Sequence, residues 1–151
     1  MELKEAIQNR KSIREFGEGS LTKEELSLIQ WAVAKRPSAG ALYPVSLILA
    51  TNFEGEVMSA FGLKHSTIPY AFILIGNYEK IYRKYGDRGI LYTYLEAGHI
   101  AQNISLMAVE LNLACYCIGA FSPEAIRKIC SLKNNEFPIY IVAIGRKKDA
   151  K

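Results

Sequence analysis

The run "PYAFILIG" (Pro69–Gly76) is the feature that most constrains this chain. Alternate residues of a strand point to opposite faces, and here both sets are apolar. A strand of this kind is covered on both faces and lies inside a sheet. It is also far shorter than the roughly 20 apolar residues that a membrane-spanning helix needs. The rest of the chain has to bury it.

The flanking pattern supplies the cover. Residues 2–10 read as a short helix with Leu3, Ala6 and Ile7 on one face. Thr22 followed by Glu25 forms a capping box. The helix it opens carries Leu26, Ile29 and Val33 and stops before Pro37. Residues 45–51 read as a strand, 54–62 as a short polar helix or turn, and 78–85 as a short helix. The longest helix is expected from about Gly89 to Leu113, with an apolar stripe through Leu91, Leu95, Ile100, Ile104, Met107 and Leu111. Gly98 in its middle costs about 1 kcal/mol against Ala and points to close packing of a partner helix or ligand. A strand over "ACYCIGAF" follows. Ser122 as N-cap and Pro123 at the first helical position open another helix, and "FPIYIVAIG" is the last strand. The strands are spaced too irregularly for repeated βαβ units. The pattern predicts one α+β domain over residues 1–151, with helices flanking a small, mostly antiparallel sheet.

Composition removes several functional classes. With 50% hydrophobic and 23% charged residues, the chain reads as a soluble globular protein. The net charge of +4 is mild, and the basic residues are scattered apart from "NRKSIR" and "GRKKDAK". A nucleic-acid binder carries a basic face with interleaved aromatics or a known module, and neither is present. Two small basic clusters suit a phosphorylated small molecule at least as well. Cys115, Cys117 and Cys130 do not have zinc spacing. Cys115 and Cys117 alternate on a strand and read as buried small hydrophobes. His65 and His99 are isolated, so no metal site is expected. The start "MELKEAIQNRK" lacks the apolar centre of a signal peptide, which predicts a cytoplasmic protein without membrane partners.

Four segments carry chemistry. In "RPSAGALYP" small residues sit where a loop meets a strand, a place that lets something approach the backbone closely. In "NRKSIREF", Arg10, Ser12 and Arg14 alternate, so an extended segment points them one way. Guanidinium forks match phosphate oxygens. A solvated helix end is the alternative, since cations favour that end of the dipole. "LEAGHIAQN" puts Gly98 and the pair Gln102–Asn103 on the long helix, where a polar pair can also cap an interface. "CIGAF" lies between a strand and a capped helix, where backbone amides can face a ligand.

Together and in this order, these segments resemble the nitroreductase family of flavin enzymes. The family's Arg-x-Ser-x-Arg/Lys segment is matched by Arg10, Ser12 and Arg14, and its Pro-Ser-x-Gly loop by Pro37 to Gly40. Its Gly-containing helix with Gln-Asn is matched by Gly98, Gln102 and Asn103. Its Ile-Gly strand end is matched by Ile118 and Gly119, and its closing Gly-Arg by Gly145 and Arg146. The forms "SAGALYP", "LEAGHIAQN" and "IGAF" look most like the SagB-type branch, which includes dehydrogenases that oxidise peptide azolines to azoles.

The resemblance implies FMN held at a homodimer interface, two sites per dimer. It implies ping-pong hydride transfer from NAD(P)H to an electron-poor acceptor such as a quinone or nitroaromatic. Arg10, Lys11, Ser12 and Arg14 would hold the flavin phosphate and the polar edge of the ring. Pro37, Ser38, Ala39 and Gly40 would lie against the ring from the other subunit, with Tyr43 walling the pocket. Backbone amides of Ile118, Gly119 and Ala120 would approach the hydride-accepting nitrogen. Gln102 is a further cofactor contact, and Arg146 or the lysines after it would complete the phosphate site. Lys64 would reach the pyrimidine edge. At the substrate face the candidates are Tyr43, Lys84 and Tyr85, because azoline dehydrogenases use a Lys-Tyr pair. A solvated turn between helices is the alternative for that run. Two further functional readings are an azoline dehydrogenase with oxygen as final acceptor, and a non-catalytic flavin-binding module. The module reading draws on a chain that is short for the family between Asn52 and Thr67 and after Arg146.

Overall fold

A computed structural model describes residues 1–51 and 68–148. In chain order it contains α1 (Leu3–Asn9), α2 (Lys23–Ala34), a 3-10 turn (Ala39–Ala41), β1 (Val45–Thr51) and β2 (Tyr70–Asn77). It continues with α3 (Tyr78–Tyr85), α4 (Arg88–Glu110), β3 (Leu113–Ile118), α5 (Pro123–Ile129) and β4 (Glu136–Arg146). The turn expected over 54–62 and the candidate Lys64 fall outside the described residues.

The four strands form one antiparallel sheet in the order β1-β2-β4-β3. The apolar run forms the inner strand β2, buried continuously from Ala71 to Gly76. Its two side-chain sets feed two cores. Phe72 and Leu74, with Val142 and Ile144, face α2 and α4. Ile73 and Ile75, with Ile141, face Ile126 of α5. This is the α+β arrangement expected from the pattern. Pro138 sits in the inner strand β4, where a missing N–H would break a ladder bond. The register shifts there, with Leu74 opposite Tyr140 and Ile75 opposite Pro138, so a bulge absorbs the proline.

Two expectations need correction. In α1 only Ala6 is buried, while Leu3 and Ile7 are exposed. In α4 the buried face runs through Thr93, Ala97, Ile100, Ala101, Ile104 and Ala108. Leu91, Tyr94 and Leu95 point outward, at 40%, 50% and 52% exposure. Alanines let the helix lie close to the sheet, so bulk goes to the opposite face. Met107 and Leu111 are only partly buried.

The ends of α2 and β4 are joined by one ion pair. Thr22 Oγ1 accepts from Glu25 N at 3.1 Å, and Thr22 N donates to Glu25 Oε2 at 2.8 Å, completing the capping box. The same carboxylate takes both guanidinium nitrogens of Arg146, at 2.8 and 2.6 Å. Arg146 also donates to the Ser20 carbonyl at 3.0 Å. The hydrogen bond from Arg146 holds the Glu25 carboxyl below its ordinary range, against burial, which acts the other way. A carboxyl whose folded pKa is depressed stabilises the fold above its unfolded pKa and stops doing so as pH falls through the folded one. Glu25→Gln keeps a side chain that can complete the cap but removes the charge. Urea unfolding at pH 7 should show it less stable than wild type by about 1 kcal/mol. The difference should vanish once the pH drops below the carboxylate range; a difference independent of pH would contradict this account.

Candidate active site

The loop between α2 and β1 is built around a buried ion pair. Glu96, on the inward face of α4, is 1% exposed. Its Oε2 accepts from Val45 N at 3.1 Å and lies 3.4 Å from Arg36 Nη2. Arg36 Nη2 also donates to the Val45 carbonyl at 2.8 Å, and Nη1 to the Val33 carbonyl at 3.3 Å. Both ends of the loop are therefore fixed to α4. Asn103 Nδ2 adds a bond to the Ala32 carbonyl in the last turn of α2 at 2.9 Å. Arg36 Nε and Glu96 Oε1 are buried without a protein partner.

Between these anchors the backbone is strained. Gly40, Ala41 and Tyr43 have φ of 59°, 52° and 48°. For Ala and Tyr this left-handed region costs about 1–2 kcal/mol each. Ser38 Oγ accepts from Tyr43 N at 3.0 Å. The Tyr43 ring is exposed and lies over the Arg36 guanidinium, with its centroid 4.8 Å from Cζ. The loop's small residues have a neighbour within the chain. A Cβ added at Gly40 would stand 2.8 Å from Tyr85 Oη and 3.1 Å from Lys84 Nζ. The structure thus brings Lys84 and Tyr85 to the loop. Pro37, Ser38 and Ala39 border a cavity of about 320 Å³ with Tyr92, Leu95, Glu96 and His99. His99 Nδ1 donates to the Pro37 carbonyl at 3.3 Å.

The N-terminal basic segment lies elsewhere. Ile13 N donates to the Cys115 carbonyl at 3.0 Å, which lays the segment along the outer edge of β3. Arg10, Lys11, Ser12 and Lys147 line one cavity of about 500 Å³ against Ser105, Tyr116 and Cys117. Among the described residues, none that lines that cavity is acidic. Arg14 instead stands over the Tyr116 ring, 5.7 Å from its centroid. The basic residue that the chain's end brings here is Lys147, because the Arg146 fork is closed on Glu25. Tyr116 has a buried hydroxyl without a protein partner. Burial raises its pKa and the nearby Arg14 opposes that, so the phenol stays protonated. Cys115 and Cys117 both lie 3.9 Å from Ser105 Oγ, on one face of β3 as expected. Burial pushes the Cys115 thiol up to about 12, which leaves it an inert small hydrophobe.

The two groups occupy different stretches of α4. Tyr92 and His99 border the loop cavity, while Ser105 and Ala108 border the basic one. Tyr92 and Ala108 are about 24 Å apart at 1.5 Å per residue. Gly119 and Ala120 are exposed just beyond Cys117, while the Ile118 side chain is buried. Gln102 is exposed. Among the described residues a Cβ at Gly98 would meet nothing within 4 Å, so no close packing against them requires this glycine. Among the described residues no cluster of His, Cys, Asp or Glu could hold a metal ion, and no helix is long and apolar enough to cross a membrane.

The chain matches the nitroreductase family over residues 62–146. A Methanocaldococcus jannaschii protein, provisionally named a nitroreductase, is 32% identical over 184 aligned positions, covering 97% of this chain and 92% of that one. The chain belongs to the nitroreductase family. The fold agrees. A nitroreductase family protein from Clostridium difficile 630 superposes with a TM-score of 0.83 at 24% identity, over 99% of this chain and 87% of that one. A protein from Ralstonia eutropha JMP134, provisionally named a nitroreductase, reaches 0.87 at 20% identity, over 99% and 85%. Members of this family are oxidoreductases.

The contact at Gly40 is directly testable. Gly40→Ala should cost about 1–2 kcal/mol of stability from the left-handed backbone, plus a steric part from Tyr85 Oη. Tyr85→Phe removes that oxygen, so the double variant should be more stable than the sum of the single effects predicts. Strict additivity in chemical unfolding would show that Tyr85 does not rest on Gly40.

Proposed function

We propose that this protein is an FMN-dependent oxidoreductase. It takes hydride from NAD(P)H and delivers it to an electron-poor organic acceptor such as a quinone or nitroaromatic. The observation that carries this reading is the gathering of Arg10, Lys11, Ser12 and Lys147 around one cavity whose described lining holds no carboxylate. That donor set fits a phosphate monoester, which Arg binds through its fork and Lys as a point charge. When bound, the flavin supplies the hydride chemistry.

The chain's own residues bind, orient and shield. Arg10, Lys11, Ser12 and Lys147 hold the phosphate end. Arg14 acts at one remove, through the Tyr116 ring. Backbone amides at Gly119 and Ala120, which follow the lining residue Cys117 in the chain, would face the ring. The loop Pro37–Gly40 would lie against the ring system of a flavin held by the partner subunit, and Tyr43 would wall the pocket in which the acceptor docks. The separation of the two groups along α4 supports that division, since the two cavities have no lining residue in common among the described residues. The outward stripe of Leu91, Tyr94 and Leu95, with Gly98 one turn on, is the surface on which two copies would pack. An obligate interface of this kind buries on the order of 2,000 Å² or more.

A second reading draws on one observation, the convergence of Lys84 Nζ and Tyr85 Oη on Gly40. An ammonium beside a phenol can hold or move a proton at the substrate face, as an azoline dehydrogenase of the SagB-type branch would need. The two readings differ in reductant. The first has NADH or NADPH bleach the visible absorbance of the bound flavin, and the second has a thiazoline peptide bleach it faster.

The purified protein should be yellow and release FMN on denaturation. Loss of two charge-assisted contacts at roughly 1.5 kcal/mol each predicts about 100-fold weaker FMN binding for Arg10→Ala with Lys147→Ala. A colourless protein that takes up no added FMN, or an unchanged affinity in the double variant, would refute the assignment.

A further inference from the structure

Glu96 is the one charged side chain buried below a tenth exposure among the described residues, and it borders the loop cavity. We propose that Glu96 is a positioning residue that acts through Arg36 to place the Tyr43 ring, and thereby sets the protein's affinity for its organic acceptor. The inference rests on the reading above, in which Tyr43 walls the acceptor's pocket.

The geometry is a clamp. Glu96 Oε2 holds the Val45 N–H, and Arg36 Nη2 holds the Val45 carbonyl, so both backbone groups at the loop's exit are taken. Arg36 is itself the loop's entry, tied to the Val33 carbonyl in the last turns of α2. The eight residues between include two non-glycine positions in the left-handed region, Ala41 and Tyr43. A strained backbone persists only where its surroundings fix it; here the pair fixes both ends, while the bonds from Tyr43 N to Ser38 and from His99 to Pro37 hold the interior. The guanidinium that closes the clamp is also the surface under the Tyr43 ring. Glu96 therefore orients Arg36, and Arg36 orients Tyr43. No step in this chain requires Glu96 to touch the acceptor.

The test compares three variants with wild type, each in the FMN-loaded form. Breaking a buried pair from one side leaves an uncompensated charge, whereas replacing both partners by apolar residues of similar size is often neutral for stability. Arg36→Met with Glu96→Leu is thus expected to fold. Amide hydrogen exchange at Tyr43 and Val45 should quicken at least tenfold. The KM for a quinone such as menadione should rise at least fivefold, while kcat changes less than twofold. Tyr43→Ala in the wild-type background should raise the same KM by a similar factor. Added to the double replacement it should raise KM no further, because the ring has already lost its place. Unchanged exchange, an unchanged KM, or a Tyr43→Ala effect that multiplies in full would each overturn the clamp. Failure of the flavin reading shows separately, as a wild-type protein that takes up no FMN, and the positioning role falls with it.

Discussion

The Arg36–Glu96 pair is the interaction on which the site's geometry depends. It joins the end of α2, the start of β1 and the middle of α4 at one buried point. Neither charge would be stable there alone. Removing one partner of a buried pair typically costs about 3–5 kcal/mol, because the other charge stays out of water. The pair also solves a backbone problem. Val45 opens the edge strand β1, opposite Gly76, and it is buried. Side chains satisfy both its polar groups at the point where the loop enters the sheet. The neighbouring Pro44 carbonyl accepts from Asn77 N at 2.8 Å, which ties the same point to the end of β2.

From that point α4 organises the rest. Its inward face is small, with Ala97, Ala101 and Ala108 among its buried residues, so the helix beds closely on the sheet. One stretch of the helix borders the strained loop, and another, three turns on, borders the basic cavity. Its outward face carries Leu91, Tyr94 and Leu95 in solvent contact. A single helix thus presents a core face, borders both cavities and carries an exposed apolar stripe. In the proposed reading the divided site becomes whole only across a two-fold axis. The phosphate cradle of one subunit then works with the loop and Tyr43 of the other.

Much of this was legible in the sequence where the cause is local. The inner strand β2 announced itself through apolar residues of both parities, and the caps at Thr22 and Ser122 through the spacing of their partners. The basic segment from Arg10 to Ser12 and the loop from Pro37 to Gly40 stood out through residue type alone. What escaped was set by contacts distant in the chain. Arg36 and Glu96 are 60 residues apart, and only a carboxylate within the apolar run "LEAGHIA" hinted at a buried partner. The buried face of α4 departs from the leucine stripe because close helix–sheet contact favours alanine, although leucine is the more hydrophobic residue. Arg146 and Lys147 are adjacent and both basic. Which one reaches the cavity depends on Glu25, more than a hundred residues away. The glycine at position 40 pointed to a close approach, and within the chain that approach is made by Lys84 and Tyr85.

The central claim is that one chain holds two separated halves of a flavin site and that a partner completes it. Size-exclusion chromatography with light scattering, read together with flavin absorbance, tests this most directly. The account predicts a dimer that carries two FMN molecules and a monomer fraction without flavin. A monomer loaded with FMN at unit stoichiometry would contradict it.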